Sequence, residues 1–169
     1  MSDAASIVAA LRASGVTMVA SLPDQWLTGV LEAVDAADDL RHVRVNREDE
    51  GVGICAGAAL AGVRAVLICQ NAGLLLSGNM LAGLAHHHEL PVVALAAHRG
   101  RDDDPYPYQR YKGRVTAPVL EALGVPHRVV DDVDDAVVAE AFSQAEAEGT
   151  PVVLLLSVAA FGLDPQGAW

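Results

Sequence analysis

Aromatic side chains are scarce: Phe, Trp and Tyr make up 4% of the 169 residues. A core of that composition is assembled from Ala, Val and Leu, which suits a parallel sheet whose strands are covered on both faces. Basic residues are few as well, 11 against 22 acidic ones, for a formal net charge of −11. That balance argues against nucleic acid, whose binding calls for basic patches. The two cysteines, Cys55 and Cys69, sit inside apolar segments and match no metal or redox spacing, so they read as free buried thiols. No apolar run reaches the roughly 18 residues that span a bilayer. The N-terminus has no basic start followed by an apolar core, so no signal peptide is expected. A cytoplasmic location follows as the default. A Gly-rich phosphate loop is also missing.

What is present points to an ordered, well-buried fold. The chain is 52% hydrophobic, with a mean hydropathy of +0.30, which excludes disorder. Its length suits one domain spanning 1–169. Apolar runs at 16–20, 42–45, 65–69, 91–96, 127–130 and 151–156 read as strands. Helical periods fall between them: 4–13, a helix opening near Pro23, then 51–60, 75–85, 115–123 and 133–148. This alternation predicts an α/β domain of three layers, with a doubly wound parallel sheet of about six strands. The segment 161–169 has no period and reads as a tail, loose or anchored on a partner through Trp169.

Two stretches carry candidate chemistry. In 44–57 a short apolar strand passes through a polar turn with three acids into a helix of very small residues. Each Gly in a helix costs roughly 1 kcal/mol against Ala, so such a helix makes sense where a neighbour or a ligand approaches its backbone. Glu48 and Glu50 fall in or just before its first turn, where the helix dipole favours carboxylates. They either cap the helix or meet a ligand. In 70–74, Gln70-Asn71-Ala72-Gly73-Leu74 follows a buried strand. An amide pair and a glycine at the carboxyl end of a parallel strand is the usual build of a site loop. The alternative role of the amides is to bond the turn backbone.

His98, Arg99 and Arg101 follow the fourth strand on the same side, and Lys112 and Arg114 are weaker anion-binding candidates. The Asp102-Asp103-Asp104 run reads as a solvated turn. His86-His87-His88 ends a helix that starts on the ligand side, so it lies on the opposite side, where histidines suit the helix dipole. No metal site is read from it.

Together with Arg99-Gly100, Gln109, Gly113-Arg114-Val115-Thr116 and Leu120-Glu121-Ala122-Leu123-Gly124-Val125-Pro126, these stretches resemble the pyrimidine-binding (PYR) domain of thiamine-diphosphate-dependent decarboxylases. The resemblance covers nearly the whole chain. It is most similar to the separately encoded alpha subunit of sulfopyruvate decarboxylase and to the N-terminal domain of phosphonopyruvate decarboxylase. In that family a Glu closes a strand and a Gly follows nine residues on, as Glu48 and Gly57 do here.

The resemblance implies a lyase that decarboxylates a small 3-anionic pyruvate, sulfopyruvate or phosphonopyruvate, to an aldehyde and carbon dioxide. It makes Glu48 the carboxylate that bonds the pyrimidine N1′ and favours the imino tautomer, which is general acid–base work done through the cofactor. Glu50 stands where the family is usually not acidic, so capping or surface exposure is its expected role. Cofactor contacts are expected from Glu48, Gln70, Asn71 and Gly73, and substrate contacts from Asn71, His98 and Arg99. An Arg fork suits a sulfonate or phosphonate. The family holds the diphosphate through Mg²⁺ on a Gly-Asp-Gly and a later Asn. This chain has no Gly-Asp-Gly, so Mg²⁺ and diphosphate are expected on a beta subunit, in an α2β2 or larger heteromer. Two other roles stay open: a carboligase of the acetolactate synthase type, and a non-catalytic regulatory subunit.

Overall fold

The six aliphatic runs form β1 (Met18–Ser21), β2 (Arg41–Arg44), β3 (Ala65–Gln70), β4 (Val93–Ala97), β5 (His127–Val130) and β6 (Val152–Leu156). The structure, a computed structural model, describes residues 3–102 and 104–163. The strands pair in the order β2-β1-β3-β4-β6-β5, every pair parallel. Strands β4 and β6 are buried throughout and β3 in all but its last residue, which is why they read as unbroken apolar runs. The edge strand β2, with Arg41 and Arg44 exposed at its ends, does not.

Successive side chains of each strand enter opposite layers. Val66, Ile68, Val93 and Leu95 join the core made with α1 (Ala4–Ala13), α2 (Thr28–Asp35) and α7 (Asp135–Glu148). Leu67, Cys69, Ala94 and Ala96 join the core under α3 (Glu48–Leu60), α4 (Asn71–Leu76), α5 (Gly78–Met80) and α6 (Arg110–Ala122). The β1–β2 crossover thus lies on one face and the β2–β3 crossover on the other. They diverge beside β1 and β3, so a crevice opens at the carboxyl ends of those strands.

Several boundaries differ from the sequence reading for local reasons. Helix α3 begins at Glu48 rather than 51, because Arg47 is extended and the Glu50 carboxylate accepts the Asn46 backbone N–H at 3.0 Å. The helix expected at 75–85 starts directly after β3 and is broken into α4, the single turn α5 and a π-helical stretch, Leu81–His86. Gly73, Gly78 and Gly83 along it weaken a regular α-helix. Helix α6 starts at Arg110, led in by a 3-10 turn, Pro107–Gln109, with Pro at its first position. Phe161, expected to open the tail, ends the turn Val158–Phe161 and faces Trp26 with ring centroids 6.3 Å apart. The rest of the tail from residue 164, including Trp169, lies outside the described residues. Both cysteines are buried and free, and burial pushes the Cys55 thiol up to about 12. No helix among the described residues is long and apolar enough to cross a membrane.

Candidate active site

Glu48 opens α3, and its half-buried side chain lies across the start of α4. A Cβ on Gly73 would land on Glu48 Cγ and stand 2.5 Å from Cδ and 2.6 Å from Oε1. Gly73 is therefore the residue that leaves room for this carboxyl group. None of the described residues hydrogen-bonds the Glu48 carboxylate. The two neighbouring acids are engaged: Asp49 accepts from Arg47 at 3.0 and 2.8 Å, and Glu50 caps the helix through Asn46. Glu48 also lies close to the end of β3, where burial first and the Glu48 charge second push the Cys69 thiol up. The small helix fits this placement. At Gly51 a Cβ would stand 2.5 Å from Leu67 Cδ1, so α3 presses on β3, whereas Gly57 faces open space. A carboxyl group held over a glycine, without a partner among the described residues, is free to bond a ligand nitrogen.

Beside it stands a buried polar network. Gln70 donates to Asp24 Oδ2 at 2.7 Å. Asn71 is fully buried and its Nδ2 donates to the Arg99 carbonyl and to Thr116 Oγ1, each at 3.0 Å. Arg99 is only 2% exposed. Its Nε and NH2 donate to Asp104 at 2.8 and 3.3 Å, and its NH1 donates to both Asp24 oxygens at 3.2 and 3.1 Å. The guanidinium also stacks over Trp26, 4.2 Å from the ring centroid. Asp104 accepts the backbone N–H groups of Gly100 and Tyr106 as well. Burial alone would raise the Asp104 carboxyl, but Arg99 and these two N–H groups hold it below the usual carboxylate range.

This arrangement alters three expectations. Protein groups engage the Arg99 guanidinium at its edge and over its face, so a direct contact between Arg99 and a substrate anion does not follow from the geometry. The Asn71 amide nitrogen is used within the contact of α4 with α6, while its Oδ1 is buried with no hydrogen-bond partner among the described residues. Asp104, expected in a solvated turn, is buried because it is the counter-charge of Arg99; Asp102 is exposed and Asp103 lies outside the described residues. The conformation of Gly100 (φ +84°) completes the clamp. A Cβ there would strike the Gln109 carbonyl and stand 2.9 Å from Gly113 N, and one on Gly113 would stand 2.8 Å from the Arg99 carbonyl. The Arg-Gly, Gln and Gly pattern in 99–113 marks two backbones in contact.

Next to the clamp is a cavity of about 940 Å³ lined by His98, Arg101, Asp102, Arg110, Tyr111 and Arg114, with Gly100, Pro107 and Gly113. His98 is nearly buried, its Nε2 3.4 Å from the Gly113 carbonyl. Lys112 instead lies over the Tyr108 ring, 5.9 Å from its centroid. His86 pairs with Thr150, just before β6, at the opposite edge of the sheet. Among the described residues no group of three His, Cys, Asp or Glu side chains is placed to hold a metal ion.

Asp24, Thr116 and Arg110 are not among the site residues that the sequence singles out. An acid just after β1 facing an arginine just after β4 was the available signal for Asp24. Thr116 and Arg110 gave none without the helix that carries them.

The family model described as thiamine pyrophosphate enzyme, N-terminal TPP binding domain, matches residues 1–117. The chain is 37% identical over 123 residues to sulfopyruvate decarboxylase subunit alpha of Methanothermobacter thermautotrophicus, covering 73% of this chain and 74% of that one. It is 33% identical over 136 residues to phosphonopyruvate decarboxylase of Streptomyces viridochromogenes, covering 80% of this chain but 34% of that one. Among solved structures, 2-oxoglutarate:ferredoxin oxidoreductase from Magnetococcus marinus superposes with a TM-score of 0.72 at 18% identity, over 95% of this chain and 29% of that one. That last likeness is one of fold alone.

Proposed function

The chain belongs to the thiamine pyrophosphate enzymes through their N-terminal TPP binding domain, and from that premise we propose that it is the alpha subunit of a decarboxylase. Its substrate is a small 3-anionic pyruvate, sulfopyruvate or phosphonopyruvate, and its products are carbon dioxide and an aldehyde. The names and identity of the relatives support this substrate class. The observation that carries the catalytic part is the Glu48 carboxyl group, held over Gly73 without a hydrogen-bond partner among the described residues.

That geometry fits an aminopyrimidine. Thiamine diphosphate, when bound, supplies the electron sink that loss of carbon dioxide from a 2-oxo acid requires. Glu48 would hold the pyrimidine N1′ by a hydrogen bond and would serve as the general acid–base of this chain. Gly73 keeps the carboxyl group in place. Gln70, oriented by Asp24, stands at the same edge for the cofactor. Asn71 and Arg99 act as positioning residues that fix the loop after β4, and His98 faces the substrate side. Among the described residues no acidic or histidine cluster is placed to hold a metal ion, and the sequence has no Gly-Asp-Gly. We therefore place the diphosphate and Mg²⁺ on a beta subunit carrying Gly-Asp-Gly and a later Asn, in an α2β2 or larger heteromer.

The test is to purify the chain alone and with such a partner, and to assay thiamine diphosphate- and Mg²⁺-dependent release of carbon dioxide from sulfopyruvate, phosphonopyruvate and pyruvate. The complex should favour the 3-anionic substrates, and the single chain should be inactive. Robust turnover by the single chain would refute the division between two subunits. Acetolactate from pyruvate, with no aldehyde from the 3-anionic acids, would reassign the complex as a carboligase.

A further inference from the structure

The cationic residues are unevenly distributed. The chain has 11 Lys and Arg, and Arg99, Arg101, Arg110, Lys112 and Arg114 all fall within one short segment. Arg99 is neutralised by Asp24 and Asp104. Arg110 and Arg114 are not neutralised in this way: both are exposed, neither side chain forms a hydrogen bond or ion pair with a described residue, and the Arg114 side chain has only the Tyr111 ring, 5.2 Å from its centroid. Four residues apart on α6, they share one helix face, where like charges repel. They also occupy the first turns of a 13-residue helix with no acid in its first turn, and cations are disfavoured at that end of the helix dipole. Two repulsions therefore act on one pair of side chains, and both side chains line the same cavity.

We infer that this cavity, between the loop after β4 and the start of α6, binds a tetrahedral oxyanion through Arg110 and Arg114. Resting on the decarboxylase reading above, the oxyanion is the sulfonate or phosphonate group of the substrate. An anion there relieves the charge repulsion and the unfavourable helix field together, and two Arg forks match its oxygens. His98 lines the same cavity as a further polar group. Asp102, exposed, is the acid among the described lining residues, and Arg101 lines the same space. The location is right for a substrate. His98 follows β4 as Asn71 follows β3, and the two strands are paired through Gln70 and Ala97, so the cavity shares the carboxyl edge that carries Glu48. Arg99 then shapes the cavity while Arg110 and Arg114 select the ligand.

The test uses the assembled complex, with R110Q/R114Q, and with R64Q as a control far from this edge. Arg64 pairs with Glu146 and the Ser14 carbonyl. Binding of sodium sulfate and sodium phosphate is titrated calorimetrically against chloride at matched ionic strength. Values of kcat/KM are measured for sulfopyruvate, phosphonopyruvate and pyruvate. The wild type and R64Q should bind the oxyanions saturably, and R110Q/R114Q should not. The double variant should lose about ten- to a hundredfold in kcat/KM on the 3-anionic acids relative to pyruvate, the scale of a lost charge-assisted hydrogen bond. Equal losses on all three substrates, or unchanged oxyanion binding, would overturn the inference. A wild-type complex that decarboxylates no 3-anionic acid would instead refute the substrate reading. The oxyanion titration would then still decide the cavity: saturable binding lost in the double variant upholds the anion site, and no saturable binding in the wild type refutes it.

Discussion

Glu48 and Asp104 are both carboxyl groups at the carboxyl edge of one sheet, and their surroundings are opposite. Asp104 is buried and accepts from Arg99 and from two backbone N–H groups. Glu48 is half-buried and accepts from no described residue, and a glycine keeps space open beside it. A fully paired buried charge holds a loop in one conformation, because removing either partner leaves the other uncompensated. A carboxyl group without a partner among the described residues adds to the fold only through the helix dipole, which leaves it open to a ligand. The two regions share helix α4, which meets α6 in one and α3 in the other, so the paired cluster and the unpaired carboxyl group lie side by side.

The contrast breaks most visibly at Glu48. In the assembled complex Glu48→Gln should lower the decarboxylation rate by about a hundredfold or more, the scale of an acid–base contribution, with unchanged assembly and melting temperature. Glu50→Gln should change the rate by less than about threefold, since Gln also closes a capping box. Similar losses in the two variants would remove Glu48 from its role. Arg99→Ala tests the other cluster. Leaving Asp104 and Asp24 without their cation should destabilise the protein by about 3–5 kcal/mol, read as a fall of about 6–20 °C in Tm. A stable Arg99→Ala protein that lost only the 3-anionic substrates would return Arg99 to the substrate.

Smaller effects sharpen the same contrast. Gly73→Ala sits in a helix, where Ala is the better former by roughly 1 kcal/mol, so the melting temperature should hold or rise slightly. Its methyl group must displace the Glu48 side chain, and activity should fall by about tenfold or more. Full activity in that variant would mean the Glu48 carboxyl need not lie where the structure has it. The mildest effect is with pH. Asp104 is held below the usual carboxylate range, so its stabilisation is complete above the unfolded value near pH ~4 and is lost as pH falls through the depressed folded value. The difference in urea midpoint between the wild type and Asp104→Asn should be constant near neutrality and shrink below about pH 4. A difference independent of pH would mean that Asp104 acts by packing rather than by charge.

Much of the layer pattern was legible in the sequence because it is a property of single segments. Strand runs buried on both faces must be apolar throughout, and a helix built from Gly and Ala must meet close neighbours. Six strands and the crossover helices were therefore visible, and Glu48 stood out because its stretch joins a strand to such a helix. The resemblance in 44–57, 70–74 and 99–126 also carried the family. Helix starts were misplaced where a cap or a 3-10 turn, rather than periodicity, sets the boundary, as at Glu48 and Arg110.

The sequence by itself determined the sheet, the order of its layers and the positions at which polar groups interrupt apolar runs, since these follow from local hydrophobic pattern. Only the tertiary structure decided what each polar group does there. Arg99, Arg110 and Arg114 look alike as charges along the chain. Asp24, 75 positions before Arg99, encloses the first of them, and the helical spacing of the other two leaves them together on an open cavity. Pairing depends on which charges the fold brings within a few ångströms, and that distance is set by the crossing of β1, β4 and α6 rather than by any neighbour in the chain.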